Sequence, residues 1–172
     1  ATAIKNATAN IPAVAGIIID NGYTGTIDFS SPLAVSGRYR QESGTVIVNP
    51  ALAFTVNGRF THNGGILQET QTVASGTVNF LQIKTSGGTD VYRGVDLTPS
   101  GSLGSTTVTV KAVDLVTEFC TSTGAGSPAY AGRCFNITPA TSGAAAVTLW
   151  APTSSVPASP RVFHYSSGAW QE

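Results

Sequence analysis

Leu33-Ala34-Val35-Ser36-Gly37-Arg38-Tyr39 and Phe54-Thr55-Val56-Asn57-Gly58-Arg59-Phe60 are one pattern written twice, with a constant offset of 21 (33 to 54, 39 to 60). The same offset carries Gly44 onto Gly65. Apolar residues alternate in each copy: Leu33, Val35 and Tyr39, then Phe54, Val56 and Phe60. A degraded third copy falls at Phe80-Leu81-Gln82-Ile83, followed by Gly87-Gly88. A period of roughly 20 residues, with one inward-facing apolar strand per copy and glycines at the corners, reads as a parallel β-solenoid. The recurring glycines mark places where the backbone needs positive φ or a close approach between rungs. An antiparallel meander within one continuous β-sandwich or jelly roll is the competing reading.

Outward from the repeat, the signal stays β. Short β-branched and aromatic runs are punctuated by Gly, Ser, Asn and Pro, and no window carries a helical period. From about Gly101 the pattern changes to clean alternation. It runs through Thr106 to Val113, Cys134 to Ile137, Ala146 to Trp150 and Arg161 to Tyr165. Ser166-Ser167-Gly168 then makes a tight turn before Ala169-Trp170. This part reads as an antiparallel β-sandwich. The expected fold is all-β: an N-terminal segment over 1–20, a short β-solenoid-like repeat region over 21–100, and a β-sandwich over 101–172 that lacks a closing strand.

Of 172 residues only 10% are charged, with 9 Lys and Arg against 9 Asp and Glu. Ordinary soluble domains carry about 25%. A neutral surface offers no footprint for nucleic acid or anionic lipid, and it lacks the repulsion that keeps copies apart. No apolar run approaches the ~20 residues needed to span a bilayer. Hydrophobic residues at 41% exclude a disordered chain. The first residues, ATAIKNATANIP, read as a mature chain after leader removal or as an excised piece.

The two cysteines, Cys120 and Cys134, have no Cys or His close by at a metal-ligand spacing. In an exported chain they are expected to bond to each other, the alternative being two buried thiols. Asn6-Ala7-Thr8 and Asn136-Ile137-Thr138 match the glycosylation acceptor pattern, with Asn6 the better placed.

Catalysis needs titratable groups brought together, and this chain has few. His62 reads as a turn residue and His164 as one position in a strand. No nucleophile elbow, phosphate loop or dinucleotide fingerprint occurs. The carboxylates Asp20, Asp28, Glu42, Glu69, Asp90, Asp96, Asp114 and Glu118 are scattered; Asp90 and Asp96 form the nearest approach to an acid pair. Asp20-Asn21-Gly22 could begin a calcium loop but reads more simply as a turn. The expectation is a protein that is not an enzyme and takes no cofactor.

Thr55 to Gly65, then Leu103 to Val108, Arg133 to Pro139 and His164 to Trp170, in that order and spacing, resemble the rungs and following module of large secreted bacterial β-repeat surface proteins. The resemblance covers most of the chain from about residue 44. It implies export and a non-catalytic role at the cell surface. In such proteins the sequence continues past the Trp into another strand.

The functional expectation is a structural subunit of an extracellular filament or cell-surface layer. Its partners would be other copies of itself, joined by β-strand addition. The donor would be the apolar segment Ile11 to Ile19, with contacts from Ile11, Val14, Ile17, Ile18 and Ile19, because this stretch precedes the first repeat copy and has no evident partner there. The alternative is a carbohydrate-binding or adhesion module that presents Tyr or Trp, including Trp150 and Trp170, to a surface polysaccharide. Neither reading involves nucleic acid or membrane insertion.

Overall fold

The computed structural model describes residues 7–9, 13–29, 31–113, 132–151, 164–166 and 169–171; at 7–9, 164–166 and 169–171 only the backbone is described. The described residues form strands and turns, with no helix among them. From Ala7 onward the described strands alternate between two sheets. β1 (Ala7–Ala9), β3 (Thr26–Phe29), β5 (Thr45–Val48) and β8 (Ile66–Val73) stack in parallel in one. In the other, β2 (Ala13–Ile19) and β4 (Leu33–Gln41) stack in parallel, and β4 is followed by the short pair β6 (Phe54–Val56) and β7 (Phe60–His62). The offset of 21 is the register of this ladder: Leu33 pairs with Phe54, Val35 with Val56 and Tyr39 with Phe60.

The segment expected to lack a partner has one. β2 pairs with β4 over its whole length, Ala13 opposite Ala34 and Ile19 opposite Gln41. Residues 13–19 therefore form a rung on their own chain and are not extended away from it. A sequence signal existed, since Ala13-Val14-Ala15-Gly16 sits 21 positions before Ala34-Val35-Ser36-Gly37. It was masked because the register slips between Val14 and Gly16, which brings Ile17, not Ile18, opposite Tyr39.

The third copy also differs from expectation. Only β10 (Ile83–Lys84) continues the parallel ladder, pairing with β6, and β11 (Asp90–Tyr92) then turns back antiparallel to it. β9 (Val78–Phe80) leaves for a third sheet, where it lies antiparallel to β12 (Val95–Pro99), which in turn pairs with β15 (Ala145–Leu149). Between β9 and β10, Leu81 adopts φ 57, a left-handed conformation that ends a strand.

β13 (Gly104–Ala112) adds antiparallel to β8, and β14 (Arg133–Pro139) adds antiparallel to β13. One six-stranded sheet thus runs unbroken from parallel rungs into antiparallel strands across residue 101. A hairpin of β16 (His164–Ser166) and β17 (Ala169–Gln171) follows.

Strand alternation explains the core. Every second residue points inward, so the ladder stacks like upon like: Val14, Val35, Val56; Ile17, Tyr39, Phe60; and, in the facing sheet, Ile27, Val46, Leu67. Val35, Tyr39, Val46, Val56 and Leu67 are completely buried. The Tyr39 and Phe60 rings lie parallel with centroids 4.7 Å apart. Each fully buried aliphatic side chain contributes about 1.5–3 kcal/mol.

The repeated glycines serve two separate purposes. Gly44 and Gly65 turn corners at φ 70 and 76, in the left-handed region. Gly37 and Gly58 have ordinary φ, but their neighbours leave no room: a Cβ on Gly58 would land on the carbonyl oxygen of Gly37, and one on Gly37 on that of Ala15. Rung separation at this point is set by backbone against backbone. Gly58→Val should therefore push two rungs apart, costing at least about 2 kcal/mol and lowering the melting temperature on the order of 5 °C. An unchanged melting temperature by calorimetry would contradict this account of the position.

Candidate functional site: a closed polar end and an open first rung

One tier of the core is polar. Ile19, Gln41 and His62 occupy equivalent rung positions. Gln41 is fully buried. It accepts a hydrogen bond from the Tyr39 hydroxyl at 2.9 Å and donates to the carbonyls of Gly44 and Ile66 at 3.2 and 3.0 Å. Buried polar groups must be satisfied in this way or they cost stability. His62, expected in a turn, ends β7 inside this tier. Its Nε2 lies 3.2 Å from the Gly65 carbonyl and its Nδ1 3.1 Å from the Tyr92 hydroxyl. A carbonyl can only accept, so Nε2 carries the proton and Nδ1 accepts from Tyr92. Burial, with the Arg133 charge nearby, lowers the His62 pKa to about 3, against a partial counter-effect of the Gly65 carbonyl. The imidazole is thus a neutral structural link. Burial likewise pushes the Tyr92 hydroxyl up to about 12, with Arg133 opposing.

Beyond Tyr92, a cluster of charged and aromatic groups closes the end of the stack. The Arg133 guanidinium lies 4.1 Å from the centre of the Tyr92 ring and donates to the carbonyls of Arg93 and Trp150. Arg93 stacks over Trp150 at 3.7 Å and pairs with Asp90 at 3.4 Å and Asp96 at 3.1 Å. Asp96 also accepts from the Trp150 indole at 2.9 Å and from Asn79 at 2.7 Å.

The structure does bring Asp90 and Asp96 together, as a glycosidase would require, but it places a guanidinium between them. Each carboxylate is ion-paired with Arg93, which ties β11 to β12. Trp150, one of the residues expected to present a sugar platform, has one ring face covered by Arg93 and its N–H taken by Asp96. The side chain of Trp170 lies outside what is described. Asp20, at the Asp-Asn-Gly turn, pairs with Arg40 at 2.9 Å; at 76% side-chain exposure this is a weak surface interaction.

Among the described residues no group of three or more His, Cys, Asp or Glu is placed to hold a metal ion, and no helix is long and apolar enough to cross a membrane. A cavity of about 10 Å³ between Phe29, Leu33 and Phe54 has room for a single water.

At the opposite end of the stack no described strand covers the first rung. Among the described strands, β2 pairs only with β4 and forms the edge of its sheet. Ala13 to Ile19 carries no charge and no large polar side chain. The Glu42 amide donates to the Ile19 carbonyl at 2.9 Å, so Ile19 turns its backbone toward β4. Strand alternation then turns the N–H and C=O of Ile18 toward the unpaired side. The Ile18 side chain is 56% exposed.

Of the five residues expected to touch another subunit, Val14, Ile17 and Ile19 pack into their own core instead, and Ile11 lies outside the described residues. Ile18 alone presents itself outward. Cys134 sits on β14 opposite Lys111, with no free cysteine found among the described residues. Cys120 and Asn6 fall outside them. Asn136 and Thr138 are exposed on β14.

The chain matches no family model, no characterised protein and no solved structure in any of the three comparisons made.

The His62 geometry makes a pH prediction. A histidine whose folded pKa is depressed contributes stability that is present above its unfolded value of 6.5 and lost as pH falls toward about 3. Relative to His62→Gln, wild type should lose about 1.4 kcal/mol per pH unit below 6.5. Denaturant titrations of both proteins at several pH values measure this difference. A constant difference would mean that His62 is not buried neutral.

Proposed function

We propose that this chain is a structural subunit of an extracellular filament or cell-surface layer, and that its copies join by β-strand addition at the first rung. The reading rests on β2: an apolar, uncharged strand, paired on one side among the described strands, which includes no lysine or proline of the kind that natural proteins use to block such edges. Strand donation by a departing segment 11–19 is replaced by in-place pairing. The rung stays on its own subunit and receives a strand from the next. The absence of net charge removes repulsion between copies.

The carbohydrate-binding alternative gains less support. Tyr39, Phe60 and Tyr92 stack within the molecule, and Trp150 is held by Arg93 and Asp96.

Wild-type protein at high concentration should form polymers visible in electron micrographs. Ile18→Lys places a charge on the outward face of the edge strand and leaves the inward residues untouched. It should give folded subunits that do not polymerise. Polymers of undiminished length from Ile18→Lys would refute the assignment of the contact to this edge.

Export also calls for the bond between Cys120 and Cys134. Such a loop, of about 15 residues, stabilises by about 3 kcal/mol in the chain-entropy view. Mass spectrometry of the native protein should find no thiol open to alkylation before reduction. Two alkylated cysteines would contradict the pairing.

A further inference from the structure

One other sheet edge shares the condition of β2. Among the described strands, the edges are formed by β1, β2, β9, β11, β14, β15 and the β16–β17 hairpin. All but three of these strands are only three residues long, and very short edge strands resist pairing with another chain. Of the three longer ones, β14 carries Arg133 and ends in Pro139, which has no N–H to offer. β2 and β15 carry neither a charge nor a proline.

Two large apolar side chains are exposed among the described residues, and each lies on one of these two strands. They are Ile18 on β2, 56% exposed, and Val147 on β15, 47% exposed. Val147 also matches Ile18 in the direction of its backbone. The Trp150 amide donates to the Gly94 carbonyl and the Ser100 amide to the Ala144 carbonyl, both at 3.0 Å. Ala144 and Trp150 therefore turn toward β12. In an antiparallel ladder this direction alternates along the strand, so Val147, midway between them, turns its N–H and C=O to the unpaired side.

The Val147 side chain, by contrast, is on the core side. It stands opposite Leu97, which is 1% exposed, on the face where Ala145 and Leu149 pack against the core. Cover that is complete over Leu97 thus gives out one strand later. A strand added beyond β15 would bring side chains against Val147 and partners to its backbone.

We propose that β15 is the strand that β2 receives: the free edge of β15 on one copy pairs with the free edge of β2 on the next, and Val147 and Ile18 share the contact. The inference rests on the assembly reading above and adds the identity of the donor to it.

A second copy is the occupant because the chain itself supplies both halves. The two edges are uncharged, five and seven residues long, and each has one uncovered apolar side chain. Strand addition satisfies the unpaired N–H and C=O groups of both at once. Because the two edges are different, the contact is heterologous, and every copy that joins presents a fresh edge to the next. Pairing of β2 with β2 would be isologous and would stop at dimers.

Complementation of two blocked variants tests this. Val147→Lys charges the β15 edge and leaves β2 intact; Ile18→Lys does the reverse. Each alone should lose the polymers of wild type. Their equal mixture should give dimers of one copy of each and nothing longer, read by sedimentation velocity. Polymers of wild-type length from Val147→Lys, with Ile18→Lys still blocked, would overturn the donor and leave the assembly reading standing. A mixture that stays monomeric would overturn the donor too. Polymers from both variants, or a wild type that never assembles, would overturn both readings. If Val147→Lys does not fold, Val147→Cys mixed with Ile18→Cys decides. A short bis-maleimide should join the two introduced thiols across copies, mapped by mass spectrometry, and polymers without that cross-link would overturn the pairing.

Discussion

At Gly37 and Gly58 the carbonyl of one rung meets the α-carbon of the next, with no space for a methyl group between them. This contact fixes the spacing of the stack, and the rest of the fold depends on it. With the backbones this close, parallel pairing at a single register puts Val upon Val and ring upon ring. A slip of one residue would turn every inward side chain outward. The cost of the arrangement is that each rung leaves an edge of unpaired backbone groups for the next rung to satisfy, and the last rung at each end has to solve that problem separately.

The two ends solve it differently. At one, β11 runs back antiparallel, and Tyr92, Arg133, Arg93 and Trp150 build a lid of stacked cations and aromatics. Several of the residues that look chemically interesting in the sequence, among them His62, Asp90, Asp96 and Trp150, are engaged there. Arg93 joins Asp90 to Asp96, and burial makes His62 a neutral link between Gly65 and Tyr92. At the other end the first rung has no lid among the described residues. This asymmetry, with an edge strand that carries no charge and has no second partner among the described strands, is the observation on which the proposed assembly rests.

Much of this was legible in the sequence, and the failures have physical causes. The offset between Leu33–Tyr39 and Phe54–Phe60 is a direct image of the ladder, because stacked rungs need the same side chain at the same place. The first rung was missed because its register slips by one residue at Ala15, which scrambles the match for Ile17 and Ile18 while Ala13-Val14 still aligns. His62 was misread because Asn63-Gly64-Gly65 follows it. Those residues do make the corner, but His62 lies one step before it, where Gln41 had already established a polar inward position. Glu69 gives no local signal at all: its buried carboxyl accepts from the Leu81 amide 12 positions away, at a left-handed conformation that leucine does not announce.

The first rung pairs with β4 of its own chain and has no second partner among the described strands, and the Ile18 backbone amide reports on both conditions. Hydrogen exchange followed at that amide in dilute monomer and in concentrated, assembled protein tests it most directly. The account predicts rapid exchange at Ile18 in the monomer beside protected amides at Ile17 and Ile19, and protection of Ile18 appearing only on assembly. Strong protection of Ile18 in dilute monomer, or unchanged rapid exchange within polymers, would contradict it.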